Sequence, residues 1–93
     1  MRILTYKSAA HIPHPIMKKL YKLTKGKAGL MQEYAQDLRR SGDDNPVFVM
    51  FDSLQPVGWT FWDRCRMFEV YVDPMYRRQG IATQLIAQGI VHG

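Results

Sequence analysis

The run from Val70 to Ala82 combines the features of a phosphate-binding turn. It reads as an apolar strand, a turn containing Pro74, and a helix whose first turn contains Gly80. The first four amide groups of a helix lack internal acceptors, and the helix dipole adds about half a positive charge there, so such an end attracts anions. Arg77 and Arg78 add two full charges, and Gly80 allows close approach of the backbone. The run therefore predicts a site for a phosphate-bearing ligand.

Four segments that must position this turn are typical of β-strands. They cover residues 2–7, 47–51, 57–62 and 67–72, and the last three are separated by short polar turns. The second and third strands read as an antiparallel hairpin. Alternation places Trp59 and Phe61 on one face and Trp62 on the other. Core positions are favoured for these aromatic residues. One of the tryptophans is also a candidate for lining an acceptor cleft.

Three further segments are predicted as helices. The first begins at His14-Pro15, because proline is tolerated in a first turn, and ends near Lys25-Gly26. The three apolar faces contain Ile16, Met17, Leu20 and Tyr21, then Leu30, Met31, Tyr34, Ala35 and Leu38, and finally Ile81, Leu85, Ile86 and Ile90. The order of elements predicts an α+β fold with a mostly antiparallel sheet and helices packed on it.

The charge of the chain favours a polyanionic ligand without identifying it. The 93 residues include 13 Lys and Arg against 8 Asp and Glu, a net charge of +5. Lys18, Lys22 and Lys25 share one helix face, which is either an ordinary solvated face or an attractant for an acidic protein segment or nucleic acid.

The remaining composition narrows the class of protein. Cys65 is the single cysteine and lies in a polar turn, so no internal disulfide is expected, and no apolar run resembles a signal peptide or a membrane span. His11, His14 and His92 lack metal-ligand spacing, so no metal is expected. We expect one cytoplasmic domain over residues 1–93.

The turn also carries a family resemblance. Arg77-Arg78-Gln79-Gly80-Ile81-Ala82 fits the GNAT signature of Arg or Gln, two residues, Gly, one residue, and Gly or Ala. The neighbouring Tyr71-Val72-Asp73-Pro74 and Leu85-Ile86 fit as well, as does Pro56-Val57-Gly58-Trp59 in the hairpin. In motif and element order the chain thus resembles GNAT N-acetyltransferases over nearly its whole length. The resemblance implies transfer of an acetyl group from acetyl-CoA, as cosubstrate, to an amine of a protein, peptide or small molecule.

The resemblance further implies which residues hold the cosubstrate. The backbone amides from Arg78 to Thr83 would hold the pyrophosphate, and the main chain of Val70 and Val72 would pair with the pantetheine arm like an added strand. The implied binding residues are Val70, Tyr71, Val72, Arg77, Arg78, Gln79, Gly80, Ile81, Ala82 and Thr83.

In GNAT enzymes the amine attacks the thioester directly, which requires a base, a donor to the carbonyl and a proton for the leaving thiolate. A backbone N–H near Val70 can serve as the donor. Glu69, the only carboxylate in the 67–72 strand, is the candidate base. The family's glutamate usually lies at the position of Arg66, and a solvated or salt-bridged Glu69 fits equally well. Tyr71 is the candidate acid, with Tyr76 as an alternative, although each also suits packing.

Complete GNAT domains continue with a fifth strand, a fourth helix and usually two more strands. The sequence therefore predicts a short form, lacking the usual C-terminal strands, that is reduced or completed by a partner. We expect a homodimer formed through the last helix and the neighbouring sheet edge. The alternative is a non-catalytic GNAT-like module that binds CoA, a protein partner or both. A membrane partner is not expected, and nucleic acid is the weakest candidate, because the chain has no helix-turn-helix or zinc signature.

Overall fold

The computed structural model describes residues 1–24, 45–63 and 66–92. Four strands form one antiparallel sheet in the order β1-β2-β3-β4, and an α-helix covers each face. The strands are β1 Arg2–Tyr6, β2 Val47–Asp52, β3 Gln55–Asp63 and β4 Arg66–Val72, and the helices are α1 His14–Leu23 and α2 Ile81–His92. The predicted α+β class is thus confirmed. The predicted helix at residues 30–38, as well as Cys65, lies outside the described residues.

Helix α1 packs on the sheet through a narrow apolar stripe. It starts after Pro13 and ends at Leu23, where the amide of Thr24 donates to the carbonyl of Leu20 at 3.1 Å. Leu20 is fully buried, but the placement of Tyr21 on the apolar face is wrong, because this side chain is 46% exposed. Consecutive helical residues point about 100° apart, and the sheet covers only the stripe around Leu20.

The lysines of this region lie as predicted, as far as the structure describes them. Lys18 and Lys22 are exposed on α1, whereas Lys25 and Lys27 lie outside the described residues.

The sheet carries apolar side chains on both faces, which explains why β2 and β3 are almost entirely buried. Trp59 and Phe61 pack on the α1 face, and Trp62 packs on the α2 face with Phe48 and Leu85. The predicted alternation along β3 is therefore confirmed. Both tryptophans are buried within the described part of the chain.

Helix α2 approaches the sheet closely because two glycines leave room for it. A Cβ at Gly58 would lie 3.0 Å from the Tyr71 carbonyl oxygen and 3.2 Å from Cγ2 of Ile81. A Cβ at Gly89 would overlap the indole ring of Trp62. The position of α2 thus depends on residues without side chains at two contact points.

The buried face of α2 differs from the prediction in that Gly89 is buried, Ile86 is half-buried and Ile90 is exposed. Ile81, Leu85 and Gly89 are buried at spacings of four, whereas Ile90 is 67% exposed. Ile90 follows Ile81 by nine residues, which places it about 180° around the helix axis from Ile81. Because Ile81 faces the sheet, Ile90 faces away from it.

The described residues were also compared with the requirements of a membrane span and of a metal site. Among the described residues, no helix is both long and apolar enough to cross a membrane. In the same ranges, no group of three His, Cys, Asp or Glu side chains is arranged to hold a metal ion.

Candidate functional site

A cavity of about 400 Å³ opens between β4 and the start of α2, and we call it the edge cavity. Nine of the ten residues predicted to bind the cosubstrate line it. Gln79 is the exception, and Tyr76, which that set did not include, lines the cavity as well. The structure therefore brings the apolar strand and the arginine-rich turn together around one space.

One wall of the edge cavity is the free edge of β4, which among the described strands pairs with β3 alone. The amide of Asp73 donates to the Val57 carbonyl at 2.8 Å. Every second residue of a strand directs its N–H and C=O groups to the same side, so Tyr71, like Asp73, directs them toward β3. Val70 and Val72 alternate with these residues, so their N–H and C=O groups point away from β3, toward the edge cavity. Consistent with this, the Val72 carbonyl accepts a 3.2 Å hydrogen bond from Nε of Arg77. This wall can pair with amide groups of an extended ligand.

The turn between β4 and α2 is fixed by its own hydrogen bonds. Pro74–Tyr76 form one turn of 3-10 helix, capped by the Asp73 carboxylate, which accepts from the Met75 amide at 3.0 Å. The amide of Tyr76 donates to the Asp73 carbonyl at 2.8 Å. The entry into α2 is therefore held in shape by hydrogen bonds within the turn.

A long-range hydrogen bond ties the same turn to Asp52 at the end of β2. The Tyr76 hydroxyl donates to Oδ2 of Asp52 at 2.7 Å. This hydrogen bond, together with burial and the nearby carboxylates, raises the pKa of Tyr76 above its ordinary value of 10.0. The hydroxyl consequently remains a neutral donor at physiological pH.

The N-terminus of α2 faces open space. Gly80 has a φ of 76°, and its carbonyl accepts the first helical hydrogen bond, from the Gln84 amide at 3.0 Å. A Cβ at Gly80 would meet nothing within 4 Å, so this glycine is needed for its left-handed backbone and not for lack of room. Arg78 shares that conformation, with a φ of 67°. The first amides of α2 can thus reach an anion in the cavity.

The charges around the edge cavity match such an anion. Arg77 and Arg78 are exposed and line it, and among the described lining residues there is no carboxylate. Two cations beside a helix N-terminus that follows a glycine make a favourable environment for a phosphate group.

The candidate base lies next to a β-bulge in β4. Glu69 pairs with Phe61, but Trp62 pairs with Met67, which leaves Phe68 as an extra residue on β4. Directly paired residues share a face, so Glu69 lies on the α1 face together with Tyr71. Glu69 is half-buried. The sequence gives no sign of this bulge, since it arises from the pairing of two strands.

The two candidate acids both have acceptors for their hydroxyl protons. Tyr71 donates to the Leu23 carbonyl at the end of α1, at 3.1 Å, and Tyr76 donates to Asp52. Tyr71 also packs against the core of the α1 face while lining the edge cavity. Of the two, Tyr71 lies on the same face as Glu69, so the structure groups these two catalytic candidates.

Comparison with known proteins gives one match. The sequence model described as the acetyltransferase (GNAT) family matches residues 15–93, a range that includes the edge cavity, α2 and all of α1 except His14. No curated protein and no solved structure matches the chain.

Proposed function

The chain belongs to the GNAT acetyltransferase family, and from that premise we propose that it transfers an acetyl group from acetyl-CoA to an amine. The observation that carries the proposal is the edge cavity, in which an outward-facing strand edge meets a helix N-terminus flanked by Arg77 and Arg78. A ligand with an amide-bearing arm and a diphosphate has the chemistry for both walls. Acetyl-CoA has that composition.

The residues present fit such a cosubstrate. The outward backbone groups of Val70 and Val72 suit hydrogen bonds to the pantetheine amides, in the manner of an added strand. The open space in front of Gly80 leaves room for the pyrophosphate beside the first amides of α2. The Val72 carbonyl accepts from Arg77 in this structure, so pairing at that carbonyl would require the arginine to move aside.

Acetyl-CoA supplies an activated thioester carbonyl. The amine nitrogen forms a bond to that carbon, the carbon–sulfur bond breaks, the amine loses one proton, and the departing sulfur gains one. The tasks of this chain are therefore to hold the thioester, to accept the amine proton and to return a proton to sulfur. We assign to the outward N–H of Val70 the donation of a hydrogen bond to the carbonyl oxygen of the thioester.

Glu69 and Tyr71 are the residues we propose for the two proton transfers. Glu69 is half-buried beside the bulge, on the same face of the sheet as Tyr71. The Tyr71 proton is donated to the Leu23 carbonyl, so delivery to sulfur requires this 3.1 Å bond to break. The acceptor amine belongs to a protein, peptide or small molecule.

A second candidate function is a module that binds the coenzyme without catalysis. Both tyrosine hydroxyls already donate hydrogen bonds within the chain, Tyr71 to the Leu23 carbonyl and Tyr76 to the Asp52 carboxylate. This favours the module, because neither proton is directed at a substrate. Calorimetry with acetyl-CoA, followed by mass spectrometry of mixed amine acceptors, separates the two. Binding with acetylated product supports the enzyme, binding without product supports the module, and no binding contradicts both.

A further inference from the structure

The strand edge that the proposed function gives to the pantetheine arm is partly occupied by a side chain of the turn. Nε of Arg77 donates a hydrogen bond to the Val72 carbonyl at 3.2 Å. Val72 directs its backbone groups into the edge cavity, and Arg77 lines the same cavity. An extended ligand and Arg77 therefore compete for one carbonyl oxygen.

The backbone of the turn holds Arg77 close to this oxygen. Arg77 directly follows the 3-10 turn Pro74–Tyr76 and has an extended backbone, with φ −70° and ψ 159°. The preceding residue, Tyr76, is tied to Asp52 through its hydroxyl at 2.7 Å. The Arg77 side chain is exposed. It can therefore leave the Val72 carbonyl while the backbone of the turn stays in place.

A phosphate group is a stronger acceptor for this side chain than the carbonyl is. Hydrogen bonds from a guanidinium to an anionic oxygen are about twice as strong as those between neutral groups, and a phosphate can accept two of them in parallel. The Val72 carbonyl is uncharged, and its bond to Arg77 is exposed to water. Because Arg77 and Gly80 line the same cavity, a diphosphate at the start of α2 would attract Arg77 away from the strand edge.

Phosphate recognition and strand pairing are in this way linked through one side chain. When a ligand has both an amide-bearing arm and a diphosphate, Arg77 turns to the phosphates and the Val72 carbonyl becomes free for the arm. When a ligand has the arm alone, Arg77 must leave the carbonyl and finds no anion in exchange. The penalty is small, but it applies to one class of ligand only.

We propose that Arg77 is a specificity-determining residue, which favours acyl thioesters carried on a diphosphate-bearing arm over free pantetheine thioesters. It does so because it occupies the Val72 carbonyl until a phosphate attracts it. The inference rests on the proposed function, since it takes the pantetheine arm to lie along β4 and the pyrophosphate at the start of α2.

The test compares acetyl-CoA, measured by calorimetry, with S-acetylpantetheine, measured by NMR titration because its binding is weak. Arg77→Met keeps a side chain of similar shape near the backbone but has no donor. We expect this variant to bind acetyl-CoA about fivefold more weakly than the wild type, and S-acetylpantetheine about threefold more tightly, the scale of one exposed hydrogen bond. Opposite signs distinguish this role from a merely structural one, which would weaken both ligands.

Arg78→Met is the matched control. It removes the neighbouring cation from the same cavity and leaves the bond between Arg77 and Val72 in place. The affinity for acetyl-CoA should fall, whereas that for S-acetylpantetheine should stay at the wild-type value.

A second measurement uses inorganic pyrophosphate as the anion. Pyrophosphate should attract Arg77 and so tighten S-acetylpantetheine binding to the wild type, up to about threefold, and the thioester should tighten pyrophosphate binding by the same factor. Arg77→Met should show no such coupling. If that variant failed to fold, the coupling in the wild type would decide.

The failures are distinguishable. If acetyl-CoA bound the wild type but Arg77→Met bound S-acetylpantetheine no more tightly than the wild type, or if neither protein bound that thioester, the inference alone would be overturned. If Arg78→Met tightened S-acetylpantetheine binding to the same extent, the effect would be one of net charge and the inference wrong. If acetyl-CoA did not bind the wild type, the proposed function would be overturned as well.

Discussion

The Tyr76 hydroxyl and the Asp52 carboxylate are joined at 2.7 Å across 24 positions of sequence. Asp52 ends β2 at the hairpin, whereas Tyr76 belongs to the turn that leads into α2. Because Tyr76 also lines the edge cavity, this bond connects the rigid sheet to the wall of the binding site. Its role is to position the turn, and no ligand contact is required of Asp52.

We expect Tyr76→Phe to weaken coenzyme A binding about five- to tenfold, because the turn loses one tether to a charged acceptor. Asp52→Asn should produce a similar loss, and the double variant should lose no more than either single one, as expected for two partners of one bond. Calorimetry measures the three affinities. Additive losses would show that the two residues act separately.

The same pair predicts a pH dependence. The pKa of Tyr76 is raised, so its folded state holds the hydroxyl proton more tightly than the unfolded chain does. The contribution of this bond is therefore complete below pH 10.0 and is lost as the pH rises through the folded pKa. Unfolding midpoints measured from pH 7 to 11 should fall more steeply at the alkaline end for the wild type than for Tyr76→Phe.

Gly80 should be essential for binding but not for the fold. Gly80→Glu places a side chain and a negative charge in the open space where the phosphates are proposed to lie, so coenzyme binding should disappear. Gly80→Ala is the matched control, because it carries the same left-handed backbone strain, roughly 1–2 kcal/mol, without bulk or charge. Circular dichroism should show both variants folded. Retained affinity in Gly80→Glu would place the phosphates elsewhere.

Gly89→Ala is expected to destabilise the protein by roughly 1–3 kcal/mol, the usual cost of overpacking a core. The new methyl group would overlap the Trp62 indole, whose Nε1 donates to the Thr60 hydroxyl at 3.0 Å and so resists displacement. Urea unfolding measures the change, with Gln88→Ala on the exposed side of α2 as the control. A variant as stable as the wild type would show that α2 can move away from the sheet.

The sequence was most informative where chemistry is local. Consecutive residues form the turn from Asp73 to Gly80, so its proline, its glycine, the helix start and two arginines can all be read within a few positions. The strand pattern likewise predicted which aromatic rings of β3 share a face, because alternation is a property of any strand.

What the sequence missed depends on register and on the distance between elements. Asp52 meets Tyr76 only because the hairpin and the turn end at the same side of the sheet. Gly89 gives no sign in sequence that an indole lies against it. The spacing of Ile90 from Leu85 and Ile86 fits an apolar helix face, but its rotation of about 180° from Ile81 leaves it exposed.

If the chain is catalytic, Glu69→Gln should lower the acetylation rate by about 10² to 10⁴, the range for loss of a general base. The loss should be largest at low pH, where deprotonation of the amine limits the reaction, and coenzyme affinity should hardly change. Rates measured from pH 6 to 9 on one amine acceptor provide the test. An unaltered pH–rate profile would show that Glu69 has a structural role only.

The last prediction concerns association of the chain with a second copy. Exposed apolar side chains lie on α2, where Val91 is 82% exposed next to Ile90, and on β4, where Phe68 and Val70 are also accessible. The sequence of α2 contains no Asp, Glu, Lys or Arg that would favour solvation of this side. A free strand edge beside an apolar helix surface favours pairing, and a two-fold contact allows each copy to cover the other.

We therefore expect a homodimer whose contact includes the outward side of α2 and the part of the neighbouring β4 edge that the coenzyme would leave free. Val91→Glu should shift light scattering toward the monomer mass, because a charge placed in an apolar contact is costly to desolvate. Gln88→Glu adds the same charge on the same helix, about 60° away around its axis from Val91 and about 160° from Ile90, and should leave the mass distribution closer to that of the wild type. A wild type that remains a folded monomer throughout a micromolar dilution series, with and without coenzyme A, would contradict the dimer.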